Sequence, residues 1–285
     1  MTTYLLIGHI SADLTEQGRQ LGGTVAYAAR AVQAIGLPVN LLTSAAPDEP
    51  LLDELRGATG ELVSVPAGQT TSFENIYTPA GRIQYVRGVA ENLRIQHVPD
   101  AWRSSSLVHL APLADEVDPA MARFFDGATV MLTLQGWLRQ WGEDGLVRFK
   151  PWFDPDVLRH INIVVFSEED IAAAPELEAQ FAGVVEHLFV TRAARGGTYY
   201  HRGQPIPYET PQVQEVHPTG AGDIFAASVL AFANHFRSRS DGNLLQAARA
   251  AAVLAALSTT RVGLDGAPTP AEVQYALNEV EKTDV

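Results

Sequence analysis

The chain has 285 residues and a formal net charge of −13, with 46% hydrophobic and 19% charged residues, a composition that suits one large globular domain with an ample core. It has no cysteine, which excludes disulfides, zinc-finger spacing, iron–sulfur clusters and a thiol nucleophile. The acidic balance argues against a nucleic-acid or membrane partner, and with Lys150 and Lys282 as its only lysines the chain lacks a Walker A loop.

In chain order, Tyr4–Gly8 reads as a strand. Ile10–Leu21 is polar and lacks helical period. Thr24–Ile35 is an alanine-rich helix stopped by Gly36 and Pro38, and Val39–Thr43 is a second strand. Ser72–Thr78 and Arg82–Gly88 alternate around Pro79-Ala80-Gly81, the pattern of a β-hairpin. Leu107–Leu110, Thr129–Leu134, Ile161–Phe166 and His187–Thr191 are further apolar strands, separated by helical segments such as Pro119–Phe125 and Pro175–Phe181. The last third is helical over Ala221–Phe236, Asn243–Thr260 and Pro270–Val280. Strand–helix alternation predicts an α/β fold, a doubly wound and mostly parallel sheet flanked by helices. The hairpin does not fit that sheet and predicts a separate small β-sheet, to which Ile10–Leu21 adds strands. We read residues 1–285 as one domain whose lid comprises about 10–21 and 70–97. The N-terminus has no basic n-region and no segment reaches the roughly 20 apolar residues of a membrane span, so a cytoplasmic protein is expected.

The strongest motif is His217-Pro218-Thr219-Gly220-Ala221-Gly222-Asp223, which opens a long apolar helix. Small residues let an anion approach the backbone, and the free N–H groups and dipole of a helix start stabilise its charge. Asp223 falls in the first turn, where it could take a proton from an attacking hydroxyl; a plain turn with a dipole-favourable acid has the same local pattern. The histidines show no metal-ligand spacing such as His-x-x-x-His, and His109, His160 and His187 read as strand or strand-end residues. Trp137 and Trp141, four apart, are expected on one helix face as core. Arg237 and Arg239 read as solvated partners of a helix C-terminus.

Thr219-Gly220-Ala221-Gly222-Asp223 followed by Phe225 resembles the C-terminal signature of the ribokinase-like (PfkB) carbohydrate kinases. Gly8-His9-Ile10-Ser11-Ala12-Asp13, Leu21-Gly22-Gly23, Val190–Gly196 and Thr260–Leu264 resemble further family segments in family order. The resemblance implies ATP-dependent phosphorylation of a hydroxyl on a small sugar, cyclitol or nucleoside, with magnesium. Asp223 would be the base, and Gly220, Ala221 and Gly222 the anion hole. It also implies substrate contacts from Asp13, Ser11, Gly22, Gly23, Tyr27 and Asn75, and nucleotide contacts from Thr191, Arg192, Gly196, Thr219 and Ser258. Asp170 would reach magnesium through water, and a homodimer would form through the lid.

The chain departs from the family pattern at several positions. His217 stands where the family's motif usually begins with Asp, which argues against a monovalent-cation site. The magnesium-organising Asn-x-x-Glu becomes Ser167-Glu168-Glu169-Asp170, which also reads as an N-cap followed by first-turn acids. Ala193 replaces a loop glycine. Ser11 and Tyr27 replace the asparagines that hold ribose in ribokinase, which points to a different polyol; Asn75, Tyr77, Arg82, Gln84 and Arg87 of the hairpin offer replacement contacts, while Phe73 and Tyr85 read as lid core or dimer contacts. A non-catalytic ligand-binding protein on the same scaffold is the alternative reading.

Overall fold

The computed structural model describes residues 2–78, 81–236 and 244–283. Its first strands are β1 (Tyr4–Ile7), β2 (Ser11–Thr15), β3 (Gly18–Gly22), β4 (Val39–Ala45), β5 (Glu61–Pro66), β6 (Ser72–Thr78) and β7 (Gly81–Gly88). There follow β8 (Leu107–Leu110), β9 (Thr129–Thr133), β10 (Arg139–Gln140), β11 (Arg148–Phe149), β12 (Ile163–Ser167), β13 (His187–Thr191), β14 (Gly197–His201) and β15 (Gln204–Tyr208). The helices are α1 (Thr24–Ile35), α2 (Asp53–Arg56), α3 (Pro155–Leu158), α4 (Glu176–Ala182), α5 (Ala221–Phe236), α6 (Leu244–Ser258) and α7 (Pro270–Thr283).

Every residue of β1 and β8 is buried, as expected of strands covered on both faces. They lie in a nine-stranded sheet of order β15-β14-β13-β12-β9-β8-β1-β4-β5. From β12 across to β5 the pairings are parallel, and β14 and β15 add antiparallel strands at one edge. One core packs α1, α5 and α6 against the sheet; a second is built around Trp137, Phe166 and Phe181 on the other face. The predicted doubly wound α/β sheet is therefore present.

The predicted lid is also present as a separate four-stranded sheet, β3-β2-β6-β7. Ser11–Thr15 and Gly18–Gly22 pair antiparallel, and β2 then runs parallel to β6. The hairpin pairs Asn75 with Gln84 and Ile76 with Ile83. Pro79 and Ala80 of its turn lie outside the described residues, as do Arg237, Arg239, Asn243 and the side chains of Tyr77 and Arg82. Beyond β7 the lid gains a further edge, because Val86 N–H donates to the Gly145 carbonyl at 2.8 Å and Val147 N–H to the Gln84 carbonyl at 2.9 Å.

Three sequence expectations need correction. Pro119–Phe124 is a 3-10 segment capped by the Asp118 carboxylate, not an α-helix. Trp137 and Trp141 do not share a helix face: Trp137 lies in a short 3-10 segment, packs tilted against Trp152 and is fully buried, whereas Trp141 follows β10 and packs in the lid cluster with Phe73 and Val86. Ser167 ends β12 instead of capping a helix; its hydroxyl donates to Asp170 at 2.8 Å and closes a tight turn.

A buried carboxylate joins body and site. Glu116, 1% exposed, accepts N–H bonds from His9, Leu113 and Ala114 at 2.8, 2.9 and 2.6 Å. His9 Nε2 meets the Glu91 carbonyl at 2.8 Å, and its Nδ1 accepts from the Thr71 hydroxyl at 2.7 Å. The turn leading into β2 is thus pinned to the loop after β8.

Burial pushes the His109 imidazole down to about 3 and that of His187 down to about 4. Both are neutral in the folded chain at neutral pH. Below about pH 6.5 the unfolded chain binds protons that the folded chain refuses. Stability is therefore full above that pH and declines as pH falls toward 4. Thermal melts at pH 7.5 and pH 5 should show this drop, and His187→Gln should make it smaller; an unchanged drop would remove His187 from the account.

Candidate active site

A cavity of about 490 Å³ opens at the carboxyl ends of the parallel strands, beneath the lid. Open α/β sheets bind ligands at this edge. Thr133, Ser167 and Thr191 come to it from the ends of β9, β12 and β13, and Ser11, Asp13, Phe73, Asn75 and Gln84 from the lid.

At one end lies the start of α5. Gly220 has φ +88°, and a Cβ there would stand 2.2 Å from the ring of Tyr27. Glycine is thus required twice, for backbone conformation and for the close approach of α1. The first bond of the helical ladder runs from Ile224 N–H to the Gly220 carbonyl at 2.9 Å, so the Gly222 and Asp223 amides precede it. The Ala221 amide turns back to the Pro218 carbonyl over a long 3.3 Å. Thr219 to Asp223 all line the cavity, and a Cβ on Gly222 would meet open space.

The wall beyond this turn is formed by Pro211, Val213, Ala252, Ala255, Ala256 and Thr259, with Thr191, Ala193, Ala194 and Gly196 beside it. Gly196, at φ +82°, has no room for a Cβ because the Tyr208 carbonyl would lie 2.1 Å away. Ala193 takes φ +49°, a left-handed conformation that strains alanine by about 1–2 kcal/mol. This is the position where the resemblance expects glycine.

At the other end Asp13 receives the Ser11 hydroxyl at 2.8 Å. A Cβ on Gly22 would stand 2.4 Å from the Asp13 carboxylate, so the glycine leaves room for that side chain. Gly23 carries φ +88° as the N-cap of α1. Gln84 Nε2 donates to Asn75 Oδ1 at 2.9 Å across the hairpin.

The structure brings Asp13, Ser11, Gly23, Tyr27, Asn75, Thr191, Gly196, Thr219 and the Gly220–Asp223 turn to one cavity. Gly22 stands just behind Asp13. Two residues fall elsewhere. Ser258 does not line the cavity but its neighbour Thr259 does, and each hydroxyl donates to the carbonyl three residues back, at 2.7 and 2.8 Å. Arg192 is paired with Glu178 at 2.5 Å and Glu168 at 3.2 Å and does not line it. Arg195 and Arg192 together hold the Glu168 carboxyl below its ordinary range, so Glu168 serves an ion-pair network and not a helix start. Asp170 lines the cavity while accepting from Ser167 and from Gln135 Nε2 at 2.9 Å.

Sequence reading missed Gln135 and Arg139, which also line the cavity. They sit in a segment taken for a helix face, and only an arginine within a non-periodic stretch could have flagged them. It also missed the grouping of Glu186, His187 and His201 at the far end of β13, since cross-strand partners need no regular spacing. Glu186 is held there by Arg202 at 2.8 Å, and His187 by the Tyr199 hydroxyl at 2.8 Å.

A doubly wound sheet, a separate β-sheet lid and a glycine-rich helix start sharing a cavity with Asp13 make a ribokinase-like architecture. Comparison agrees: residues 156–271 match the model of the pfkB family carbohydrate kinases. A cytidine kinase of Thermococcus kodakarensis is 23% identical over 81% of this chain and 88% of its own length. A pyrophosphate-dependent kinase of the ribokinase family, solved with a pyrophosphate analog and myo-inositol, superposes with TM-score 0.79 at 19% identity, covering 96% of this chain and 99% of the other. A fructokinase with bound ATP from Xylella fastidiosa gives TM-score 0.75 at 22% identity over 98% and 99%. The chain thus has the ribokinase-like fold with a pfkB-type segment over residues 156–271, and its kinase relatives support a phosphotransferase with an alcohol group as acceptor.

Gly220→Ala should lose about 2–4 kcal/mol of unfolding free energy from backbone strain and overpacking against Tyr27. Gly222→Ala should melt like the parent and yet bind polyphosphate more weakly. Denaturant titration and calorimetry with the donor check the pair; a fully stable Gly220→Ala protein would contradict the steric account.

Proposed function

We propose that the protein transfers the terminal phosphoryl group of ATP to a hydroxyl of a small polyol, with Asp223 as general base. The observation that carries this reading is the placement of Asp223 at the amide-rich start of α5, in one cavity with Asp13. Asp223 takes the proton of the acceptor hydroxyl, whose oxygen bonds to phosphorus as the bond to the leaving ADP oxygen breaks. The amides at Gly222 and Asp223, with the helix dipole, stabilise charge on the transferring group. Asp13 accepts from hydroxyls of the acceptor and sets which one faces Asp223.

The donor half supports ATP over pyrophosphate. Pro211, Val213, Ala252, Ala255 and Ala256 offer an apolar slot of the kind a nucleobase fills. Arg192 and Arg195, the nearby arginines on the β13 loop, are engaged by Glu168 and Glu178. Glu168, Glu169, Asp170 and Glu215 line this half, and no cationic side chain does so among the described residues. Hard carboxylate oxygens beside a polyphosphate fit magnesium, with Glu169 and Asp170 the residues to hold it through water. When bound, the ion would neutralise phosphate charge that this wall cannot.

Two measurements test the reading. Asp223→Asn should lower kcat by roughly 10²- to 10⁴-fold while the affinity for ATP persists; near-normal turnover would remove Asp223 from the chemistry. Turnover on an accepted polyol should proceed with ATP and magnesium and fail with pyrophosphate. Pyrophosphate-driven turnover would overturn the donor assignment, and absence of nucleotide binding with or without magnesium would favour a non-catalytic binding protein.

A further inference from the structure

Arg139 is 8% exposed, and it is the sole cationic side chain lining the cavity among the described residues. Burying a guanidinium is costly unless its donors are met. One Nη1–H donates to the Leu113 carbonyl at 2.9 Å, and the guanidinium stands 5.6 Å from the centroid of the Phe73 ring. Its backbone belongs to β10, which pairs with β11. The intervening residues are bonded to lid strand β7 through Gly145 and Val147. Arg139 therefore sits where the body loop at Leu113, the lid strand at Phe73 and this hairpin converge.

Ser11, Asp13, Asn75, Gln84, Thr133 and Gln135 line the same cavity, and Phe73, over which the guanidinium stands, is the register partner of Asp13. An ionised Asp13 only accepts, and Arg139 only donates, through a planar fork. A ring hydroxyl does both. A ring carrying adjacent hydroxyls can give protons to Asp13 and present two oxygens to the fork. A nucleobase asks instead for an open apolar slot, and at this end the guanidinium covers the Phe73 ring, with Leu113 beside it and Ser11, Asp13, Asn75 and Gln84 in the same lining.

We propose that Arg139 is a specificity-determining residue of the acceptor site, holding two adjacent oxygens of a compact ring polyol, a sugar or cyclitol and not a nucleoside. This rests on the kinase reading and narrows its substrate. The protein is titrated calorimetrically, without donor, with myo-inositol, D-fructose, D-ribose and cytidine, and steady-state rates are then measured with ATP. At least one ring polyol should bind more tightly than cytidine. Arg139→Met should raise its Kd and KM roughly 10- to 100-fold with kcat changed less than about threefold and ATP affinity unchanged, in a protein that still unfolds cooperatively.

If Arg139→Met does not fold, Arg139→Lys decides the matter. It keeps the charge but not the fork, so polyol affinity should still fall about tenfold in a stable protein. Parental polyol affinity in Arg139→Met, or in Arg139→Lys where that variant decides, overturns the proposal. So does tighter binding of cytidine, or failure of every ring polyol to bind. Polyol binding that depends on Arg139 without phosphoryl transfer would count against the kinase reading and leave the acceptor assignment standing.

Discussion

The approach of the Tyr27 ring to the bare backbone of Gly220 is the contact on which the arrangement turns. Tyr27 is on α1, which starts at the glycine pair behind Asp13, and Gly220 is the last residue before α5, whose first turn carries Asp223. One steric constraint therefore sets the spacing between the Asp13 end of the cavity and its Asp223 end, the two ends to which the proposed transfer assigns acceptor and phosphate. It works because half of the buried residues of α1 are alanine and let the helices pack closely. A phosphoryl transfer site has little covalent chemistry to perform, so this spacing is most of what the fold must deliver.

Charge follows from that frame. The acidic chain places carboxylates along the cavity and spends most nearby arginines on its own surface pairs, as with Arg192 and Arg195. Glu116 shows how a buried carboxylate can still be stable, since backbone amides surround it and convert its charge into a rigid join between two loops. Arg139 is the one cation among the described cavity residues, held at the seam between lid and body by the Leu113 carbonyl and the Phe73 ring.

How much was legible in the sequence depended on how local each signal was. The glycine turn into α5 was readable because a helix start and its first-turn acid lie within seven residues. The lid was readable because two-residue alternation differs from helical period. The end of α6 was harder to place: the helix stops at Ser258, and it is Thr259, the first residue beyond it, that lines the cavity. Arg139 was not readable at all. Its place is set by two-residue strands and by lid pairing across more than fifty residues, and no periodicity reports such contacts. Likewise the Arg192 side chain was claimed by Glu178, on a helix that sequence reading placed without its partners.

The edge strand β15 reads Gln-Pro-Ile-Pro-Tyr. Pro205 and Pro207 lie opposite Tyr200 and Thr198 of β14, and neither has an N–H to give to the ladder. The inward donors must come from the residues between them, so the prolines occupy the outward-facing positions and that border offers carbonyls without matching donors. A second copy cannot extend the sheet there by strand pairing. Growth of the sheet by strand addition is therefore blocked at that margin, and the broad sheet stays finite on the side farthest from β5.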